Sequence, residues 1–130
     1  MIDSDQAISD QAISQIVPAY YDILTAGPTS FDEAGLRTIL APDLVFEGPI
    51  AGHVTGAERF ITGVRGFVET VQRLTMVHQL QGRDLAATLY DAEMPGGTVR
   101  FAEFFHIDAG RISSLRLLYD PAEYRVRGGR

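Results

Sequence analysis

The chain contains no cysteine and no lysine, and no apolar run approaches the ~18 residues of a membrane span. Without thiols, disulfides, thiolate nucleophiles and thiolate-bound zinc are excluded, and the composition fits a cytosolic protein. The missing lysine leaves arginine as the only fixed cation, eleven residues in all. That uniformity reads as a coding bias rather than a binding signature. A formal net charge of −6 argues against general nucleic-acid binding, which needs a basic surface to displace counterions. The opening stretch, MIDSDQAISDQAISQ, is polar and acidic, unlike a signal or transit peptide. The three histidines are scattered at no ligand spacing, so no metal is expected. No cofactor is expected either: MPGG, from Met94 to Gly97, has no following helix and no lysine to make a phosphate loop. The expected location is the cytoplasm.

What is present is enough for one domain. At 130 residues with 45% apolar content, the chain can bury one real core but not two. The tandem DQAIS repeat, from Asp5 to Ser14, fits neither helix nor heptad period, and residues 1–12 read as a flexible lead-in. From Ile13 the pattern becomes helical, with Ile13, Ile16, Val17, Tyr20, Ile23 and Leu24 on one broad face. Pro18 must then lie in the first turn or kink the helix. AGP at Ala26–Pro28 ends it. SFDE, starting at Ser30, is a capping-box pattern opening a second helix with Leu36, Ile39 and Leu40. LVFEGP, Leu44–Pro49, reads as a short strand, and IAGHVTG after it as a Gly-rich loop. Thr55 and Glu58 form another capping-box pattern before a third helix bearing Phe60, Ile61, Val64, Phe67, Val68 and Val71. Four strands follow at about Arg73–Gln81, Leu85–Ala92, Thr98–Ile107 and Ile112–Tyr119. Short, turn-like connections join them into an antiparallel meander. Asp120 before Pro121 reads as a turn or chain-end residue.

VRFAEFFHI, Val99–Ile107, raises a chemical question. Alternate residues of a strand share a sheet face, so Glu103 stands with Val99, Phe101, Phe105 and Ile107 on the oilier side. A charge there is costly. Two placements are open: a carboxyl in an apolar interior with a raised pKa, or a sheet glutamate neutralised by Arg100 or Arg116 from outside. Acids are rarely buried without a partner, and perturbed acids concentrate at functional sites. His106 falls on the opposite face. His78, sharing a two-residue period with Met76 and Leu80, is a candidate for the interior.

The order of elements, together with YYDILTAG, LAPDLVFEGP, VTGAERF and RFAEFFHIDAGRISSLRLLYDP, resembles the NTF2-like superfamily, and within it the SnoaL-like and ketosteroid-isomerase-like proteins. The likeness covers about residues 12–124. It implies an α+β fold, an NTF2-like cone in which three N-terminal helices pack on a curved, mainly antiparallel sheet enclosing a pocket. Residues 13–124 form the single domain and 125–130 a C-terminal tail. In ketosteroid isomerases a tyrosine of the first helix and a protonated acid of the penultimate strand donate hydrogen bonds to a developing enolate. Those positions fall on Tyr20 and Glu103. The general base, immediately before the proline of the first strand, falls on Gly48, and Glu47 beside it could serve only if a bulge re-aimed it. Epoxide hydrolases of the superfamily place an aspartate after an arginine on the final strand, where this chain has Leu117 after Arg116.

The resemblance therefore implies a SnoaL-like cyclase or isomerase acting by acid–base catalysis on a small hydrophobic, polyketide-, terpenoid- or steroid-like molecule. A non-catalytic binder of small hydrophobic ligands is the first alternative; an epoxide hydrolase or epoxide-opening cyclase is the second. Glu103, Tyr20, Tyr90 and His78 are the candidate catalytic residues. Phe46, His53, Phe60, Val64, Phe101, Phe105, Leu117 and Tyr119 are the candidate substrate contacts. The expected partners are that ligand and a second copy of the chain in a homodimer, with no nucleic acid and no membrane.

Overall fold

A computed structural model describes the backbone of residues 4–130 and the side chains from residue 14 onward. The first helix, α1 (Ser4–Leu24), begins well before the apolar face at Ile13. The DQAIS repeat holds no proline or glycine, so nothing in it interrupts a helical backbone; residues 1–3 of the expected lead-in, and the side chains up to residue 13, lie outside the described residues. Ile16, Val17, Tyr20, Tyr21 and Leu24 form the buried stripe, at the one-, four- and five-residue spacings of a single helix face. Pro18 sits inside the helix rather than in its first turn, withholding one backbone donor.

Two helix starts differ from the capping boxes read in the sequence. Ser30 belongs to a short 3-10 turn, Pro28–Ser30. Helix α2 (Glu33–Ile39) is capped instead by Asp32, whose carboxylate accepts from the Gly35 N–H at 2.8 Å. Thr55 is still paired as a strand residue with Val45, so α3 (Ala57–Thr70) starts from Gly56 at φ 111° with no side-chain cap. Glu58, freed from the box, receives Arg37 at 2.8 and 2.9 Å.

Strand β1 (Leu40–Gly48) starts earlier than Leu44 because Leu40 and Leu44 are both fully buried. The Gly-rich stretch after it contains a strand, β2 (Gly52–Thr55), that pairs back on β1. The remaining strands are β3 (Arg73–Gln81), β4 (Leu85–Met94), β5 (Gly97–Asp108) and β6 (Arg111–Leu118). They form one curved sheet in the order β2-β1-β6-β5-β4-β3. Among the described residues only the β1–β6 pair is parallel. In β4 and β5 every second residue is buried, which is the period-2 signature of a sheet covered on one face. Rings of α1 and α3 lie on that face: Tyr20 meets Phe105 edge-on at 5.5 Å and Phe67 meets Phe101 at 5.6 Å.

A fourth helix, α4 (Pro121–Val126), replaces the expected chain-end turn. The Asp120 carboxylate accepts from the Ala122 and Glu123 N–H groups at 3.0 and 3.2 Å, and proline follows at the first helical position, where it is well tolerated. Beyond it the chain folds back onto the body. Gly96 N–H donates to the Arg127 carbonyl at 2.8 Å and Tyr124 Oη to the Arg130 carbonyl at 2.9 Å. Among the described residues no helix is long and apolar enough to cross a membrane.

Candidate functional site

Glu103 faces inward from the middle of β5, flanked along its face by Phe101 and Phe105, and is 1% exposed. Neither arginine from outside reaches it: Arg100 pairs with Asp91 at 2.8 Å and Arg116 with Glu47 at 3.2 Å. Its partners are three phenols. Tyr90 Oη donates to Oε1 at 2.7 Å, Tyr21 Oη to the same oxygen at 2.8 Å, and Tyr20 Oη to Oε2 at 3.2 Å. Since the single Tyr21 proton goes to Glu103, Thr88 Oγ1 is the donor in its 2.6 Å contact with Tyr21 Oη. Each group has its own structural reason for being there. The α1 stripe presents two successive tyrosines, and Thr88 and Tyr90 share the inner face of β4, with Thr88 paired directly to Glu103.

Burial is the largest influence on the carboxyl and pushes its pKa up; the three tyrosine hydrogen bonds favour the anion and oppose that push. The balance leaves Glu103 at about 7. The tyrosines move further from ionisation. Desolvation first, then the nearby Glu103 charge, holds Tyr20, Tyr21 and Tyr90 above their ordinary range. They are therefore neutral donors at any ordinary pH, and Glu103 is the group in this cluster that exchanges a proton near neutrality.

Glu103, Tyr20 and Tyr90 line a cavity of about 280 Å³ between the sheet and α3. Phe46, Phe60, Val64, Phe101, Leu117 and Tyr119 form its walls. Phe46 and Phe60 meet at 5.0 Å and Phe101 and Tyr119 at 4.8 Å. Tyr21 lies outside the lining, behind the carboxyl, anchoring it together with Thr88.

Three expected site residues are elsewhere. A β-bulge at Val77 shifts the register between Met76, opposite Tyr90, and His78, opposite Leu89. That one-residue slip transfers His78 to the outer face, where it is exposed. His53 pairs with Glu47 across the β1–β2 hairpin, on the side away from Phe46 and Val54, and its ring lies 3.3 Å from the Glu47 carboxylate. Phe105 does point inward but is core, packed against Tyr20 and Tyr21 rather than lining the cavity. No bulge turns Glu47 inward; it stays half-exposed beside His53 and Arg116. Gly48 itself lines the cavity, and a β-carbon there would stand 3.0 Å from the Phe46 ring. The position that the resemblance gives to the base thus borders the cavity but carries no side chain.

The sequence does not mark Tyr21 and Thr88 as site residues, and Arg59, Gly63, Tyr124 and Arg130 also reach the cavity without being expected there. Tyr21 had a signal: it falls four residues after Val17 and three before Leu24, within the buried stripe. Thr88 had one too, sharing the two-residue period of β4 with Tyr90; the other four depend on where α3 and the folded-back C-terminal segment pack.

A SnoaL-like domain model matches residues 17–115. Among solved structures, a Kribbella flavida protein superimposes with TM-score 0.75 at 23% identity, covering 87% of this chain and 90% of its own. A candidate SnoaL-like polyketide cyclase from Jannaschia gives 0.73 at 14% identity over 93% and 95% of the two chains. A steroid delta-isomerase from Pseudomonas aeruginosa gives 0.73 at 17% identity over 90% and 86%. A comparison with curated proteins found no match. At these identities the structural likeness establishes the fold and leaves the reaction open, while the domain match spans most of the chain. The protein belongs to the SnoaL-like family, on an NTF2-like fold.

Proposed function

We propose that the protein is a cofactor-independent cyclase or isomerase that moves a proton on a small hydrophobic molecule of polyketide-, terpenoid- or steroid-like character. The observation that carries this reading is the position of Glu103: a buried carboxyl with a pKa near 7, at the wall of a cavity otherwise built mainly of aromatic and aliphatic side chains. An apolar cavity with a few converging polar groups is the usual form of a small-molecule site, and a pKa near the working pH suits a group that both takes and returns protons. Tyr20 and Tyr90 line the cavity beside the carboxyl. As neutral phenols they can turn a donor toward an oxygen that gains charge in the transition state, while Tyr21 and Thr88 keep the carboxyl in place. With Gly48 at the base position, Glu103 supplies the proton-accepting function itself, removing a proton from an activated carbon and returning it to the product.

Glu103→Gln keeps the shape and removes the titrating group. Against a panel of unsaturated ketosteroids and β-diketone polyketide mimics, conversion is expected to fall by at least about 100-fold with ligand binding retained. Equal conversion by wild type and variant sinks the catalytic role. Gly48 also supports a second reading, a binding protein without turnover. Bound ligand recovered unchanged from wild type across the panel favours that reading. The epoxide-opening alternative is the weaker one, since Arg116 points outward to Glu47 and Leu117 stands where that chemistry needs an acid. A homodimer is part of the same proposal; the outer sheet face exposes Leu85, Phe104 and Leu118 beside its charged pairs.

A further inference from the structure

Helix α3 carries two glycines one turn apart, and they have different explanations. A β-carbon on Gly66 would collide with the Arg130 carbonyl, so that glycine is required by close packing. A β-carbon on Gly63 would meet nothing within 4 Å. Its backbone is ordinary helix, and glycine in a helix interior is destabilising relative to alanine. Neither packing nor conformation accounts for it. Gly63 does, however, line the cavity while remaining exposed, which places it at the mouth. One turn earlier on the same row of the helix stands Arg59, also exposed and also lining the cavity; residues four apart on a helix are surface neighbours. The other arginines near this helix are engaged: Arg37 with Glu58, Arg65 with Glu33, and Arg130 with Glu69. Arg59 has no ion-pair or hydrogen-bond partner among the described residues.

We propose that Arg59 and Gly63 form the portal of the cavity and select apolar ligands that carry an acidic group, with Gly63 leaving the opening clear and the Arg59 guanidinium pairing with the ligand's carboxylate at the rim. This rests on the cavity being a ligand site and adds the substrate's polarity: an apolar body against Phe46, Phe60 and Phe101, an anionic end toward solvent. A guanidinium offers a planar fork suited to two-point pairing with a carboxylate, and the mouth is where such a charge stays hydrated.

Two dyes sharing one ring system test it: 1-anilinonaphthalene-8-sulfonate, whose sulfonate stands in for the carboxylate, and uncharged N-phenyl-1-naphthylamine. Wild type is expected to bind the anionic dye more tightly at 1:1 stoichiometry. Arg59→Gln is expected to weaken the anionic dye roughly fivefold, the scale of an exposed ion pair, and to leave the neutral dye unchanged. Gly63→Leu is expected to weaken both. Gly63→Ala, which improves helix propensity, is expected to raise Tm by a few degrees while weakening both dyes less than Gly63→Leu does, showing that the helix tolerates a side chain there. The proposal is overturned if Arg59→Gln shifts both dyes equally or neither, if Gly63→Leu leaves both unchanged, or if wild type binds neither dye. The catalytic reading is tested separately by loss of conversion in Glu103→Gln, since the two dyes report binding alone.

Discussion

Glu47 and Glu103 are the same residue on neighbouring parts of one sheet, and they meet opposite fates. Glu47 stands on the outer face with Arg116 and His53 at 3.2 and 3.3 Å, open to water. Glu103 stands on the inner face with three neutral phenols and no cation. Cations favour a carboxylate and burial disfavours it, so the difference lies less in the number of partners than in their charge. Hydrogen bonds alone hold Glu103 in a middle range where both protonation states are accessible. An arginine in place of the tyrosines would make it a permanent anion of little use in proton transfer.

The comparison is most sharply tested by pH. Glu103 has a folded-state pKa near 7, above its unfolded value, so its contribution to stability is fully present below the unfolded value near 4.5 and is lost as pH rises through about 7. Wild type is expected to lose about 3 kcal/mol relative to Glu103→Gln across that window, read from urea unfolding at a series of pH values. A flat difference between the two proteins would show that the carboxyl is not desolvated. A smaller effect is expected of Tyr21→Phe. It removes one donor to the anion and leaves the Thr88 hydroxyl without its partner, costing roughly 1–2 kcal/mol and raising the Glu103 pKa further, as carbon-13 titration of the carboxyl would reveal. A fall in that pKa would contradict the role given to the phenol. The smallest effect belongs to the outer face: Glu47→Gln is expected to change stability by less than about 1 kcal/mol and to matter less still in high salt. A larger loss would mean that the outer face is held more tightly than its exposure suggests.

Much of this arrangement is legible in the sequence because β4 and β5 alternate cleanly. The period of two puts Thr88 and Tyr90 on one side of β4 and Phe101, Glu103 and Phe105 on one side of β5, and the structure keeps that parity. Where parity breaks, the reading fails. His78 changes faces at a single inserted residue, Val77, and nothing in TMVHQL distinguishes a bulge from a regular strand. Tyr21 is hidden differently. On a helix two consecutive residues both reach the core only if the buried stripe is wide, and its width depends on what packs against it. Short elements are the third kind of loss. Strand β2 is four residues long and exists because β1 is there to pair with it, while α4 is announced only by Asp120 and Pro121. Gly48 is the converse case: the resemblance gives the base to a residue without a side chain, and the structure adds that this residue borders the cavity.

The tyrosine cluster has one more consequence, an optical one. The chain has no tryptophan and five tyrosines, three of which donate to a single carboxyl while the other two, Tyr119 and Tyr124, line the same cavity. Excited beyond the phenylalanine band, intrinsic ultraviolet emission therefore arises from these phenols, four of which line the cavity. Protonation of Glu103 changes the hydrogen bonding of three emitters at once, and a ligand entering the cavity meets Tyr20, Tyr90, Tyr119 and Tyr124. The protein carries its own reporter, and both the charge state of its acid and the filling of its cavity can be followed by light without attaching a label.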